Sequence, residues 1–539
     1  MTGTWPADFV FGVSDSDLQV IGEENTLKAE GSEPSMWAHF AQNSGKCHNN
    51  QGPAEGIDRY HRWREDIALM KSMGVKNYRT SISMARFLSS SGEVNLKAAT
   101  WYEEYFRELK RAGINVLATL YHWELPQFLS EKGGWRNRLM VDWLSKHADA
   151  VYQVLGEYIS EYFILNEPWC SSFLSYLLGV HAPGQADMGA AVEAAHNLLL
   201  AQGAAFERLK SLDRTLKVST ALNLHPVYPA DLSEKSQLAA QYADGFYNTW
   251  FLDAMFRGRY PQPNSALYSK FGARASREDM ALIQIGPRLH SLGVNYYHGV
   301  IVEHDDQAHS NFVRTDRGGG STNALGWPIF TPPVYPEGLY DILAQVYFGY
   351  RDCGLKRLLI TENGIALNTP WDGSSRQIED SQRIVFIEAH LAQVQRALAR
   401  GIPVKGYLHW TLADNYEWAE GYQEKAAFGL VHVDRASMKR IPKMSAAWYS
   451  ENCLRPIAGM AARPRETIVV PPQPVVSAPA PLPPVLVPVV PPVVTTTIIT
   501  PTAVVQELKS KGKKKRPQKV SKGTKGKAFK GKIVRRRGR

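Results

Sequence analysis

Cysteine is scarce in this chain of 539 residues: Cys47, Cys170, Cys353 and Cys453 lie scattered, with no CxxC pair and no metal-type cluster. That spacing argues against a disulfide framework or a thiolate zinc site and predicts reduced, buried thiols in a cytoplasmic protein. The fifteen histidines contain no HExxH arrangement, so no metal and no cofactor is expected. No uninterrupted run of eighteen apolar residues occurs; the nearest, 485–500, is broken by Pro488, Pro491 and Pro492 and would make a poor spanning helix. The opening MTGTWPADFVFG lacks the basic region and apolar stretch of a secretory signal. No GxGxxG turn follows the first apolar run, which weakens a dinucleotide-binding reading.

What is present is globular, 44% apolar and 11% aromatic, with fourteen tryptophans. The formal charge of +10 is uneven. Residues 508–539 hold sixteen Lys or Arg and no acid, which leaves 46 basic against 52 acidic residues in the rest of the chain. From about Arg463 the composition shifts to PPQPVVSAPAPLPPVLVPVVPPVV, which cannot hold a helix and reads as an extended linker. The expected organisation is a catalytic domain over 1–462, a Pro/Val-rich linker over 463–507 and a disordered basic tail over 508–539.

Within the first part, strand-like runs recur at Phe9–Val13, Tyr78–Ser83, Asn115–Trp123, Tyr162–Glu167, Val218–Leu224, Ser291–Tyr297, Leu358–Glu362 and Gly406–Leu412. Segments of 3.6-residue periodicity lie between them, such as TWYEEYFRELKRAG and DSQRIVFIEAHLAQVQRALARG. Eight strands alternating with helices predict an α/β chain, a closed (β/α)8 TIM barrel with loop insertions, over the competing open doubly wound sheet. Two of the runs, YFILNEP and RLLITENG, end on Glu167 and Glu362. A carboxylate at the C-terminal end of a barrel strand points into the mouth, and two on different strands suffice to cleave a glycosidic bond.

LYHWELPQ, LNEPW, LGVNYY, ITENG and HWTLADNYEWAEGY, in this order and spacing, resemble the motifs of glycoside hydrolase family 1, the retaining β-glycosidases. The resemblance runs from about Trp5 to Asn452. It implies Glu362 as nucleophile, held ionised by Arg79 and hydrogen-bonded by Tyr297, and Glu167 as acid/base. It implies that Asn166 binds the sugar 2-hydroxyl, that Gln19, His122, Trp123, Asn295 and Glu417 contact the substrate, and that Trp410 and Trp418 form its platform and edge. Trp169 and Trp327 match positions flanking the leaving group. Related thioglucosidases carry glutamine in place of the acid/base, so Glu167 favours an O-glycosidase. Glu417 stands where phosphoglycosidases usually have serine, and a carboxylate there would repel a phosphate; Lys425 nearby keeps that branch as an alternative.

Two departures from the family pattern stand out. Gln19-Val20-Ile21-Gly22 replaces Q-I-E-G, and YRTSISMAR carries Thr80 and Met84 where Phe and Trp are usual, which predicts looser packing around Arg79. FTPPVYPEG and QEKAAFG read as lengthened mouth loops, where substrate preference is set. The expected partner is a small glycoside or oligosaccharide, hydrolysed from the nonreducing end; transglycosylation and a noncatalytic sugar-binding barrel are the other readings. The tail adds a possible nonspecific polyanion, nucleic acid or an anionic surface; its single aromatic, Phe529, gives bases little to stack on. Ending the chain at Arg463 is expected to lower the salt needed to elute it from heparin; equal elution salt for both forms would remove the electrostatic role.

Overall fold

A computed structural model of the chain describes residues 5–262, 264–271, 275–306, 308, 312–314 and 334–455. Trp327, the first four residues of the FTPPVYPEG loop, the linker and the basic tail lie outside the described residues. Eight parallel strands close into a barrel in sequential order. They are β1 (Val10–Ser14), β2 (Asn77–Ser81), β3 (Asn115–Tyr121), β4 (Ile159–Asn166), β5 (Val218–Asn223), β6 (Leu292–Asn295), β7 (Leu358–Asn363) and β8 (Val404–Trp410). Ring closure is made by β1 on β8, from Val10 beside Gly406 to Ser14 beside Trp410, and by β1 on β2.

The strands read as apolar runs because both faces are covered. Inside the ring, Leu117, Phe163, Ala221, Leu359 and Leu408 form a small apolar plug against Val10. Outside it, the strands pack against helices such as Leu96–Arg111, Met140–Leu155, Met188–Leu212 and Ser381–Ala399. Caps set where two of these begin: Asn95 accepts from the amides of Lys97 and Ala98, and Asp187 from that of Ala190. The expected helices therefore form. Among the described residues no helix is long and apolar enough to cross a membrane.

Register is broken at several points of the barrel. Shifts occur between Phe163 and Asn166 against β5, and between Ile360 and Glu362 against β6. Such irregularities turn side chains out of strict alternation. Those two fall beside the strand-end glutamates Glu167 and Glu362. Two small sheets add to the barrel: Val227–Pro229 with Val300–His304 and Phe312–Arg314, and Val431–Val433 with Arg440–Pro442. Neither was foreseen.

The expected loosening around Arg79 does not occur. Thr80 and Met84 are buried, and the Thr80 hydroxyl donates to Asp15 Oδ1 at 2.8 Å. A polar contact thus occupies the place of an aromatic ring. Asp15 also accepts from the Tyr78 hydroxyl at 2.6 Å and from Arg59 Nη1 at 3.0 Å, and Arg59 donates to Asp66 at 2.7 Å. The backbone amide of Asp15 donates to the carbonyl of Arg79, so this ionic group ties β1 to β2 beside the barrel mouth. Asp15→Ala would strand part of a buried cation and is expected to cost about 3–5 kcal/mol in chemical denaturation.

Candidate active site

Arg79, on β2, is fully buried, and its guanidinium lies over the Phe163 ring of the apolar plug, 5.5 Å from the ring centre. A buried guanidinium needs acceptors, and two are supplied. Nη1 donates to Glu362 Oε1 and Nη2 to Asn166 Oδ1, both at 2.7 Å. Glu362 comes from β7 and Asn166 from β4, so one planar fork spans the ring of strands.

Glu362 accepts a second bond on its other oxygen, from the Tyr297 hydroxyl at 2.8 Å. Burial pushes its carboxyl upward, while the Arg79 charge and the hydrogen bonds from Arg79 and Tyr297 oppose that rise. The net direction is upward, because desolvation of a wholly enclosed carboxylate outweighs the lowering by Arg79 and Tyr297.

Glu167 follows β4 immediately and adopts a left-handed backbone, φ 48°. Side chains rarely take that conformation, and a residue held in it at a strand end is strained. Two backbone bonds hold it there: its amide donates to Ala221 O at 2.9 Å, and its carbonyl accepts from Cys170 N at 3.0 Å. Its Oε1 accepts from Asn295 Nδ2 at 2.6 Å and its Oε2 from the Cys170 thiol at 3.1 Å. Burial first, then the charge of Glu362, push this carboxyl up to about 8. Glu362 has a cation in contact and Glu167 does not, so the proton of the pair rests on Glu167.

The amides between them are oriented by their partners. Asn166 Oδ1 receives Arg79 and also Asn295 Nδ2 at 3.0 Å, which turns Asn166 Nδ2 toward His122 Nε2 at 3.1 Å. An imidazole nitrogen that accepts is unprotonated, so His122 carries its hydrogen on Nδ1. Nδ1 is buried with no protein partner. Burial and the Arg79 charge hold the ring well below its ordinary pKa, hence neutral. His122 is therefore a fixed neutral donor.

Around that donor the aromatic wall assembles. The His122 ring lies nearly parallel to Trp410 (22°) and Trp418 (16°), and Trp123 packs on Trp418 at 4.8 Å. Trp123 and Trp418 both have positive φ, 67° and 49°, which lifts them from regular structure. Trp37, unforeseen, fixes Trp123 by donating from Nε1 to its carbonyl at 3.0 Å. Trp123 Nε1 and Trp169 Nε1 are buried without protein partners. Glu417 is half-buried beside Trp418, and burial followed by the charges of Glu362, Glu420 and Glu167 drives its carboxyl well upward.

Two expected contacts are placed differently from the rest. Gln19 is wholly buried: its Nε2 donates to Tyr416 O at 2.7 Å and Asn415 Oδ1 at 3.3 Å, and its Oε1 accepts from Ser16. Asn295 spends both amide hydrogens on Asn166 and Glu167, and its oxygen accepts from Thr361 at 2.5 Å. It brackets the carboxyl pair. Trp169 lies in a separate aromatic group with Phe246 and Tyr247. Cys170 and Thr361, absent from the expected set, are legible only afterwards, as neighbours of Glu167 and Glu362 in NEPWC and ITEN.

The family model for glycosyl hydrolase family 1 matches residues 1–455. The chain belongs to glycosyl hydrolase family 1. This hydrolase is 35% identical to β-glucosidase A of Acetivibrio thermocellus over 459 residues, covering 83% of its own chain and 98% of the relative. Identity with β-glucosidase A of Thermotoga maritima is also 35%, over 83% and 97%. The GH1 β-glucosidase structure from Exiguobacterium antarcticum superposes with TM-score 0.77 at 34% identity, over 84% and 98%. The Thermotoga maritima enzyme in complex with deoxynojirimycin superposes with TM-score 0.75 at 33% identity, over 83% and 97%. The family 1 member described here is thus an O-glycoside hydrolase on a closed eight-stranded barrel.

A charge-assisted hydrogen bond is worth about 1.5–3 kcal/mol. Tyr297→Phe, which removes one from Glu362, is accordingly expected to lower kcat/KM about 10–100-fold in steady-state assays with the fold intact by circular dichroism.

Proposed function

We propose that the enzyme releases β-glucosyl units from the nonreducing end of small O-glycosides with retention of configuration. Glu362 attacks the anomeric carbon while Glu167 gives its proton to the departing oxygen. The new ester removes the charge of Glu362, so the pKa of Glu167 falls and its carboxylate takes a proton from water as that water attacks the anomeric carbon, breaking its bond to Glu362 and releasing the carboxylate. The observation that carries this reading is the unequal treatment of two buried carboxyls: Arg79 and Tyr297 hold Glu362, while Glu167 is raised to about 8 and has no cation on it.

The sugar would lie on Trp410 with the His122 Nδ1 hydrogen, Trp123 Nε1 and Glu417 available to its hydroxyls, and with Asn166 beside its 2-position. Gln19 supports that ring of residues from behind, through Tyr416 and Asn415. A phosphosugar is disfavoured because Glu417 faces the site among other acids while Lys425 is exposed. Trp169, with Phe246 and Tyr247, would flank an apolar or planar leaving group, and Trp327 is assigned to the same side from sequence. Four unpaired thiols suit a reducing, cytoplasmic setting. The basic tail would add salt-sensitive attachment to polyanions without entering the reaction.

Following an aryl β-glucoside by NMR of the anomeric proton tests the proposal: the β anomer should appear first. Glu362→Gln should lose about 10⁴-fold or more in kcat. Because the acid must begin protonated, kcat/KM should fall as pH rises through about 8, and Glu167→Gln should abolish that limb. Inactivity on gluco-, galacto-, fuco- and mannosides alike, or release of the α anomer first, would overturn it.

A further inference from the structure

The mechanism leaves one group in contact with the acid/base unused. Cys170 lies three residues after Glu167, buried, with its sulfur 3.1 Å from Glu167 Oε2. On the sulfur's other side stands Asn223, the last residue of β5, whose Nδ2 donates to Sγ at 3.6 Å. Asn223 is in register with Asn295, the residue that holds the other oxygen of Glu167. The two oxygens of the acid/base are thus gripped separately, one by the Asn295 amide and one by the Cys170 thiol, which is itself contacted by Asn223 from the strand next to that of Asn295.

We propose that Cys170 is a positioning residue for the acid/base: its thiol hydrogen, aimed by the Asn223 amide on the sulfur, fixes the rotation of Glu167 and favours its carboxylate form. This rests on the assignment of Glu167 above. Asn223 engages the sulfur as an acceptor, which leaves the S–H bond to point at Glu167. A carboxylate accepts a hydrogen bond more strongly than a carboxylic acid does, so the contact stabilises the base form needed to activate water. Burial and the adjacent Glu167 charge push the thiol well above its ordinary pKa, so it remains a donor and its own proton is never transferred. The proton that moves is that of Glu167, to the leaving oxygen in the first step and from water in the second.

The other groups acting on Glu167 are the charges of Glu362, Arg79 and Glu417, the Tyr297 hydroxyl and the neutral Asn295 amide. None of them touches Oε2 in the hydrogen-bond pattern. Asn295, on Oε1, fixes one end of the carboxyl group, and a single contact leaves rotation about the χ angles open. Cys170 closes that freedom.

Three proteins test this: wild type, Cys170→Ala and Cys170→Ser. Losing a donor to the ionised form raises the pKa of Glu167, so the alkaline limb of kcat/KM on an alkyl β-glucoside should move up by about half a unit or more in the alanine variant. With 2,4-dinitrophenyl β-glucoside the leaving group needs no proton, and breakdown of the ester limits turnover. There kcat should fall about 3–10-fold while kcat/KM stays within about twofold. Serine, which keeps a donor, should restore both values toward wild type. A wild-type limb and kcat in the alanine variant would overturn the proposal. So would a parallel fall in kcat and kcat/KM that serine does not rescue, since loss of packing alone predicts that pattern. If the wild type cleaved no β-glycoside, the functional assignment would fail; infrared difference titration of Glu167 in the same three proteins would still report whether the thiol lowers its pKa.

Discussion

The site depends on one buried cation. Arg79 occupies the centre of the barrel above an apolar plug, where an unpaired guanidinium would be prohibitively costly. Its fork therefore dictates what the neighbouring strands must present: a carboxylate from β7 and an amide oxygen from β4. Once Asn166 has turned its oxygen to Arg79, its nitrogen must face His122, and the imidazole tautomer follows. Once Glu362 is committed to the arginine, the second carboxyl is left as the natural holder of the proton. Several properties usually discussed separately thus descend from a single ionic contact.

That contact is in turn supported from behind. The Asp15–Arg59–Asp66 group joins β1 and β2 at the level of Arg79, with Thr80 and Tyr78 completing it. Polar side chains here take over a position at which the family pattern has an aromatic ring. The barrel tolerates that exchange because the buried Thr80 hydroxyl finds a partner in Asp15.

Much of this was legible from the chain. Eight apolar runs of strand length became the eight barrel strands, because a strand covered on both faces needs apolar residues throughout, and Glu167 and Glu362 fell at strand ends as read. The errors cluster where local pattern loses authority. His122 and Trp123 were read as the end of β3, yet Trp123 takes a left-handed backbone that no hydrophobicity pattern signals. The short strands Val227–Pro229 and Phe312–Arg314 have only three residues each, too few for an alternation to register. Gln19 and Asn295 were read as substrate contacts, whereas their engagement with Tyr416, Asn415, Asn166 and Glu167 depends on inter-strand register. Cys170 and Thr361 escaped for the same reason: a thiol and a hydroxyl beside a motif are chemically mute until the neighbouring strand is in place.

The aromatic wall and the neutral imidazole leave Arg79 as the only positive charge among the groups named at the site, facing Glu167, Glu362 and Glu417. The field inside the mouth is thus arranged before any ligand arrives, with its acids oriented by the scaffold rather than by solvent. A sugar ring passing through an oxocarbenium-like state acquires positive charge at the very atoms those acids surround. The same field should reward ring mimics that bear a protonated nitrogen, and it should do so more strongly as the pH rises and the acids shed their protons.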